Sequence, residues 1–348
     1  MMIAAVVFSG REIYQDYFQD DEYVSDGILI DIKADTIYGT DQFLYGVHNY
    51  VFCLDWEGNC IWKSPELGSG DIVFLGDAFF ARTWNRVSET GGVAFLTCEG
   101  EILWQKEVGK ISDKGIGASH DLLVVGTRTG VLWAFSKKGD VLWKYYHHAI
   151  IEQVLVAPDS SCIIFTDYDQ AIHCVRDGNC VWSKNAQIIS VPLGNQTVAF
   201  SPDSSYIVYG SKKDGFKIVG CTPEGEELWS SSVKSVPQSI AITDDSIIVG
   251  CKEYGYKFSS AGTLLWEIEV GEENLYLAVT PESDYIVFGS NHPYRLIVLN
   301  GDGITLWKAK SGNFIRAVFI SPDGKYVTFS NNDGDLLIFS NPPESNSQ

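Results

Sequence analysis

Residues 153–184 read QVLVAPDSSCIIFTDYDQAIHCVRDGNCVWSK, and the fold is decided there. A largely apolar run, 153–157, ends at the turn signal Pro158-Asp159-Ser160. A second run, 162–166, ends at Asp167-Tyr168-Asp169, and a third spans 171–175. Asp177-Gly178-Asn179 then reverses the chain into a fourth run, 180–183, which carries Trp182. Four short runs joined by tight turns make an antiparallel meander. No helical period interrupts it, which excludes a βαβ fold.

The same scheme recurs along the chain. Apolar runs fall about 41 residues apart, at 36–40, 79–83, 122–127, 162–167, 206–211, 246–251, 285–290 and 326–331. Interleaved with the first seven is a glycine followed four residues later by tryptophan. These pairs are Gly58/Trp62, Gly100/Trp104, Gly139/Trp143, Gly178/Trp182, Gly225/Trp229, Gly262/Trp266 and Gly303/Trp307. A fixed period in this range marks an array of small supersecondary units. First-to-second strand turns read Ser201-Pro202-Asp203, Thr280-Pro281-Glu282 and Ser321-Pro322-Asp323. Pro presets φ at the second turn position there. A sheet apolar on both faces must be sandwiched by neighbours, and an aromatic on each outer strand fills the wedge between splayed sheets. The seven tryptophans are therefore read as docking residues. Trp104, Trp143, Trp182, Trp229, Trp266 and Trp307 are expected to be largely buried.

Counting strands sets the number of blades. Eight second-strand runs face seven glycine–tryptophan fourth strands, and the last unit stops one strand short at residue 340. The apolar run 3–9 lies upstream of the first complete unit. Placed on the open sheet, it closes the ring and removes two exposed edges. The expected architecture is all-β: one eight-bladed β-propeller of four-stranded antiparallel blades over 1–340. The polar residues 341–348 are expected to fray.

Composition narrows the function. Of 348 residues, 45% are hydrophobic and 13% aromatic, enough for a large core. Net charge is −20, from 25 basic and 45 acidic residues. Nucleic-acid binding rests on Lys and Arg that neutralise phosphates, so such partners are not expected. Anionic membrane surfaces are repelled for the same reason. No segment reaches the ~18–20 apolar residues needed to span a bilayer. The first residues lack the basic start of a signal peptide. The expectation is a cytoplasmic, monomeric protein with reduced cysteines, although Cys53/Cys60 and Cys174/Cys180 flank turns where a bridge is conceivable. There is no C-x-x-C, and no zinc cluster or other metal site is expected.

At the fourth strands the chain resembles the quinoprotein (PQQ-like) propeller superfamily, whose docking repeat reads D-x-x-T-G-K-x-x-W. The matching segments are 54–62 (LDWEGNCIW), 136–143 (SKKGDVLW), 222–229 (TPEGEELW) and 259–266 (SSAGTLLW). The Ser-Pro-Asp turns are also similar to WD40-like repeats, although no Gly-His…Trp-Asp pair is present. The resemblance implies either of two occupations. Dehydrogenase members bind a quinone over the ring axis, with calcium and a catalytic Asp. Other members keep the ring and bind proteins. This chain lacks the adjacent cysteines of the alcohol-oxidising enzymes and long insertions to build a lid. No catalytic Asp transfers by motif.

The remaining candidates lie in loops that vary against a constant scaffold, as binding loops do. His147-His148 follows a fourth strand, and adjacent residues on extended chain point to opposite sides, which makes the pair a poor chelator. A metal there would need help from His120 or His292. Second-to-third strand loops contribute Arg128, Tyr168, Asp169, Lys213, Tyr254, His292, Tyr294 and Asn332, and Tyr is favoured at interfaces. The expected function is non-catalytic binding of a protein, peptide or ligand by these loops, with no cofactor. The alternative is a quinone- or metal-dependent propeller enzyme, a dehydrogenase or lyase, with its site on the axis.

Overall fold

The meander read in residues 153–184 governs the whole structure. The computed structural model describes residues 5–8, 28–33, 36–41, 51–54, 60–64, 67, 72–75, 78–85, 90–188, 196–271, 276–331 and 336–341. These residues form 32 strands and no helix. The strands make six four-stranded sheets and one of eight. The eight-stranded sheet is two consecutive meanders joined by a single parallel bridge between Lys114 and Gln153. Ala5–Phe8 lies antiparallel to Leu336–Ser340, pairing Ala5 with Phe339 and Phe8 with Leu336.

Burial follows position within each sheet. Second strands such as Ile163–Asp167 and Ile207–Ser211 are buried at every residue, because both of their faces meet other sheets. Fourth strands such as Val141–Tyr146 and Leu264–Glu269 alternate between exposed and half-buried, because they form the rim. Each apolar cluster draws on adjacent sheets: Leu155, Ile164 and Ile172 pack with Ile207, Tyr209 and Val219.

The glycine–tryptophan motif acts between sheets. Indole N–H groups donate to the following sheet's third-to-fourth turn: Trp62 to Cys98 O at 2.7 Å, Trp104 to Lys137 O at 2.9 Å and Trp182 to Pro223 O at 2.8 Å. Trp229 and Trp266 reach Ser260 O and Gly301 O, each at 3.1 Å. The receiving turn carries the motif glycine. At Gly262, φ is +77° and an added Cβ would lie 2.4 Å from the Trp229 ring, so conformation and contact both require glycine.

A β-bulge precedes every one of these tryptophans. Trp143 pairs with Ala134 while Val141 pairs with Phe135, so Leu142 is skipped. The same slip omits Ile61, Leu103, Val181, Leu228, Leu265 and Leu306. A bulge raises local twist and re-aims the next side chain. It turns the indole toward the neighbouring sheet and leaves the skipped aliphatic residue exposed.

The structure corrects one expectation, at Asn341, and adds detail to two others. Trp307 is 8% exposed, and Trp104, Trp143, Trp182, Trp229 and Trp266 are intermediate: most of each indole is covered, with an edge left open because the docking strand is also the outer rim. Asn341 belongs to the fold: its side chain accepts the Trp307 indole N–H at 2.8 Å and donates to Gly324 O. The rest of the expected tail, 342–348, lies outside the described residues. Cys174 and Cys180 are both free thiols, the first buried and the second exposed. Cys174 sits opposite Trp182 in the register and not opposite Cys180.

Candidate functional site

Two loops of neighbouring sheets meet beyond Tyr146. The first, 147–150, leaves the fourth strand Val141–Tyr146 and enters the first strand Ile151–Val156. The second, 168–170, joins Ile163–Asp167 to Ala171–Arg176. Backbone bonds hold both. His147 N–H donates to Gly130 O at 2.7 Å, and Tyr168 N–H donates to Ile150 O at 3.0 Å. Gln170 N–H closes the turn onto Asp167 O at 3.0 Å.

Beneath the loops lies a buried polar cluster. Asp167 Oδ2 accepts from His147 Nε2 and from His173 Nε2, each at 2.8 Å, and its Oδ1 accepts the Ala171 N–H at 2.9 Å. The three side chains are 1–6% exposed. His173 stacks on Phe165 with centroids 4.5 Å apart, and His147 meets the His173 ring edge-on at 4.7 Å. Burial alone would push the Asp167 carboxyl up. The bonds from His173, the Ala171 amide and His147 outweigh it and hold the carboxyl down at about 2. Burial holds the His147 imidazole below its ordinary value, against the opposing pull of Asp167.

Above the cluster the same loops expose a second tier. His148 Nε2 meets Asp169 Oδ2 at 3.1 Å, with both side chains largely in solvent. Tyr146 at 72% and Tyr168 at 67% are the two most exposed large hydrophobic residues described, and Ile150 is exposed beside them. The rings of His147 and His148 lie 4.3 Å apart and tilted by 55°, so the two side chains do not point to opposite sides as expected of extended chain, because the chain bends here.

Of the sequence candidates, His147, His148, Tyr168 and Asp169 are brought together. The others occupy loops of other sheets, each with its own local partners. Arg128 donates its N–H to Lys110 O, and the Lys213 N–H donates to Ser211 Oγ at 3.0 Å. The Tyr254 ring lies under Lys234 Nζ, 4.9 Å away. His292 packs edge-on to Tyr294, which packs on Phe314. Asn332 lies outside the described residues. Neither His120 nor His292 joins His147. The help comes from Asp167 and His173 on the adjoining sheet, and His120 instead meets Ser119 Oγ at 3.1 Å. Sequence reasoning missed His173. Its signal is an imidazole inside the otherwise apolar third-strand run 171–175.

First strands line a separate cavity of about 310 Å³, including Phe74, Lys114, Ile116, Gln153, Leu155 and Gln196. Gln153 is bonded there both ways to Thr197, so its amide is satisfied.

Residues 89–244 match the family described as outer membrane protein assembly factor BamB. No curated protein matches the chain. Among solved structures, BamB from Moraxella catarrhalis is 16% identical, with a TM-score of 0.66, over 90% of this chain and 96% of that one. The computationally designed Ika8 protein is 14% identical, with a TM-score of 0.72, over 92% and 97%. The Cps50 (Swd1) β-propeller domain of Myceliophteria thermophila is 12% identical, with a TM-score of 0.59, over 80% and 98%. The chain shares the β-propeller fold with these structures, and its residues 89–244 match a PQQ-like repeat model.

Proposed function

We propose that this propeller is a non-catalytic interaction module that binds a protein or peptide through the loops around Tyr146–Ile150 and Tyr168–Gln170. One observation carries the reading. The most exposed aromatic residues described stand on loops held rigid from beneath by a buried hydrogen-bonded cluster. Exposed Tyr on a preorganised support binds with little ordering cost. The assembly-factor family matching residues 89–244 supports a protein partner. The negative charge favours a partner with a basic face and disfavours nucleic acid and anionic membrane.

In this reading the sheets close into one eight-bladed ring over residues 1–340, with Ala5–Phe8 completing the last blade. Contact of Ile28–Lys33 with Ile315–Ile320 supports the closure. The protein works as a cytoplasmic monomer without a cofactor. Co-purification from the native host tests the binding role. A stoichiometric partner should be retained by the wild-type chain and lost on Tyr146→Ala plus Tyr168→Ala, with the melting temperature unchanged. Bound quinone by mass spectrometry, with turnover of an alcohol or sugar, would overturn the reading in favour of an enzyme.

A further inference from the structure

Among the described residues, the buried carboxylate of Asp167 pairs with no permanent positive charge. It is 1% exposed, and its partners are the Ala171 amide, His147 Nε2 and His173 Nε2. No lysine or arginine is among them. An ionised carboxylate out of water is costly unless it is paired or coordinates a metal. The candidates for positive charge are therefore an imidazolium or a bound cation.

We propose that His147, Asp167 and His173 form a binding site for a divalent ion of the zinc class. The three side chains present one ligand atom each, all within 4.8 Å of one another. Two imidazoles and one carboxylate suit zinc and its transition-metal neighbours. They do not suit calcium or magnesium, which require oxygen ligands. Donors about 2.1 Å from a tetrahedral zinc lie roughly 3.4 Å apart. The 2.8 Å contacts here must open by roughly half an ångström, within reach of small side-chain rotations.

The surroundings fit such a site. The Ala171 amide fixes Oδ1 and leaves Oδ2 facing both imidazoles. The Phe165 ring orients His173 by stacking. Outer-shell contacts of this kind set ligand direction. The exposed His148–Asp169 pair bridges the same two loops and marks the solvent side from which an ion enters. On binding, each Nε2 gives up its proton, by tautomerising to Nδ1–H or by release, and the ion takes its place against Oδ2. The ligands come from a loop of one sheet and two strands of the next, so the ion would also clamp the base of the Tyr146/Tyr168 surface. The site does not depend on that surface having a partner.

The test is calorimetric titration of the metal-free full chain with zinc chloride. One tight equivalent is expected, with affinity lowered tenfold or more by His173→Gln and unchanged by His120→Gln. Equal affinity in wild type and His173→Gln places the ion elsewhere and overturns the proposal, as does the absence of a tight equivalent. Should His173→Gln fail to fold, the wild-type chain still decides by imidazole NMR. At one equivalent of zinc, two of the six histidines should show the large ring-nitrogen shift of direct coordination, beyond the smaller change at His148, which packs on His147; the absence of such a pair sinks the assignment.

Discussion

The ring of Trp104 lies against Gly139, the motif glycine of the following sheet. A Cβ on Gly139 would sit 3.0 Å from that ring, and the indole N–H donates to Lys137 O at 2.9 Å. The spacing that looks local in sequence is thus half of a contact between consecutive repeats. From Trp62 through Trp266, each motif tryptophan lies against the motif glycine of the next repeat, while Trp307 meets Asn341 instead. Such reciprocity makes neighbouring units interdependent, as expected of repeat architectures.

Gly139→Ala should therefore destabilise more than an ordinary surface substitution. At φ +86° an L-residue is strained by ~1–2 kcal/mol, and the methyl group meets the indole. Trp104→Ala should cost about 3 kcal/mol, the low end for a buried tryptophan, because the ring is half-buried. Denaturant midpoints of both variants and the double variant check this. The double should fall well short of the sum, because Trp104→Ala removes the clash.

How far the molecule is legible in its sequence depends on the distance over which each contact acts. The meander, its turns and the docking role of Trp182 are local patterns and stand in the sequence. The bulge at Leu142 and its equivalents is invisible there, because it arises from pairing with the preceding strand. The covering of the tryptophans is legible too, but the edge each indole leaves open is not, because it depends on the docking strand also being the outer rim. At the candidate site, His147, His148 and Asp169 stand out as loop polar groups. His173 does not, since only the register of Ala171–Arg176 against Ile163–Asp167 brings it to Asp167.

Acid should weaken the fold in two phases. Burial holds the His147 imidazole below its ordinary value, so the unfolded chain takes up that proton first as pH falls below about 6.5. Stability drops from that point until the folded imidazole also protonates. Asp167 behaves as a depressed carboxyl. Its contribution is complete above about 4 and disappears as pH falls to about 2. Urea midpoints across pH 4–7 should slope downward toward acid in wild type and flatten in His147→Gln. An unchanged slope in the variant would remove His147 as the source.

Deleting residues 1–10 tests ring closure. Loss of Ala5–Phe8 bares the edge of Leu336–Ser340, which pairs with it over four residues. An exposed edge costs stability and invites association. The truncated chain should melt about 5 °C or more below the full chain and show concentration-dependent association. Identical melting would mean that the strand adds nothing to the last sheet.

Asp167 and Asp169 should respond very unequally to the same change, although only Tyr168 separates them. Asp167→Asn keeps the shape but exchanges a carboxylate oxygen for an amide NH₂. If that NH₂ replaces Oδ2, the two imidazole nitrogens that donated to the carboxylate must tautomerise to accept from it, or stand as unmatched donors. If the amide flips, it faces the Ala171 N–H instead. Leaving buried donors without an acceptor costs about 1–3 kcal/mol each, so a loss of about 2–4 kcal/mol is expected. Asp169→Asn gives up only a solvent-exposed pairing with His148, of a kind worth about 0–1 kcal/mol. Its denaturant midpoint should stay close to wild type. Comparable losses in the two variants would show that the buried tier has no privileged role in holding the loops, as would two variants that both melt like wild type.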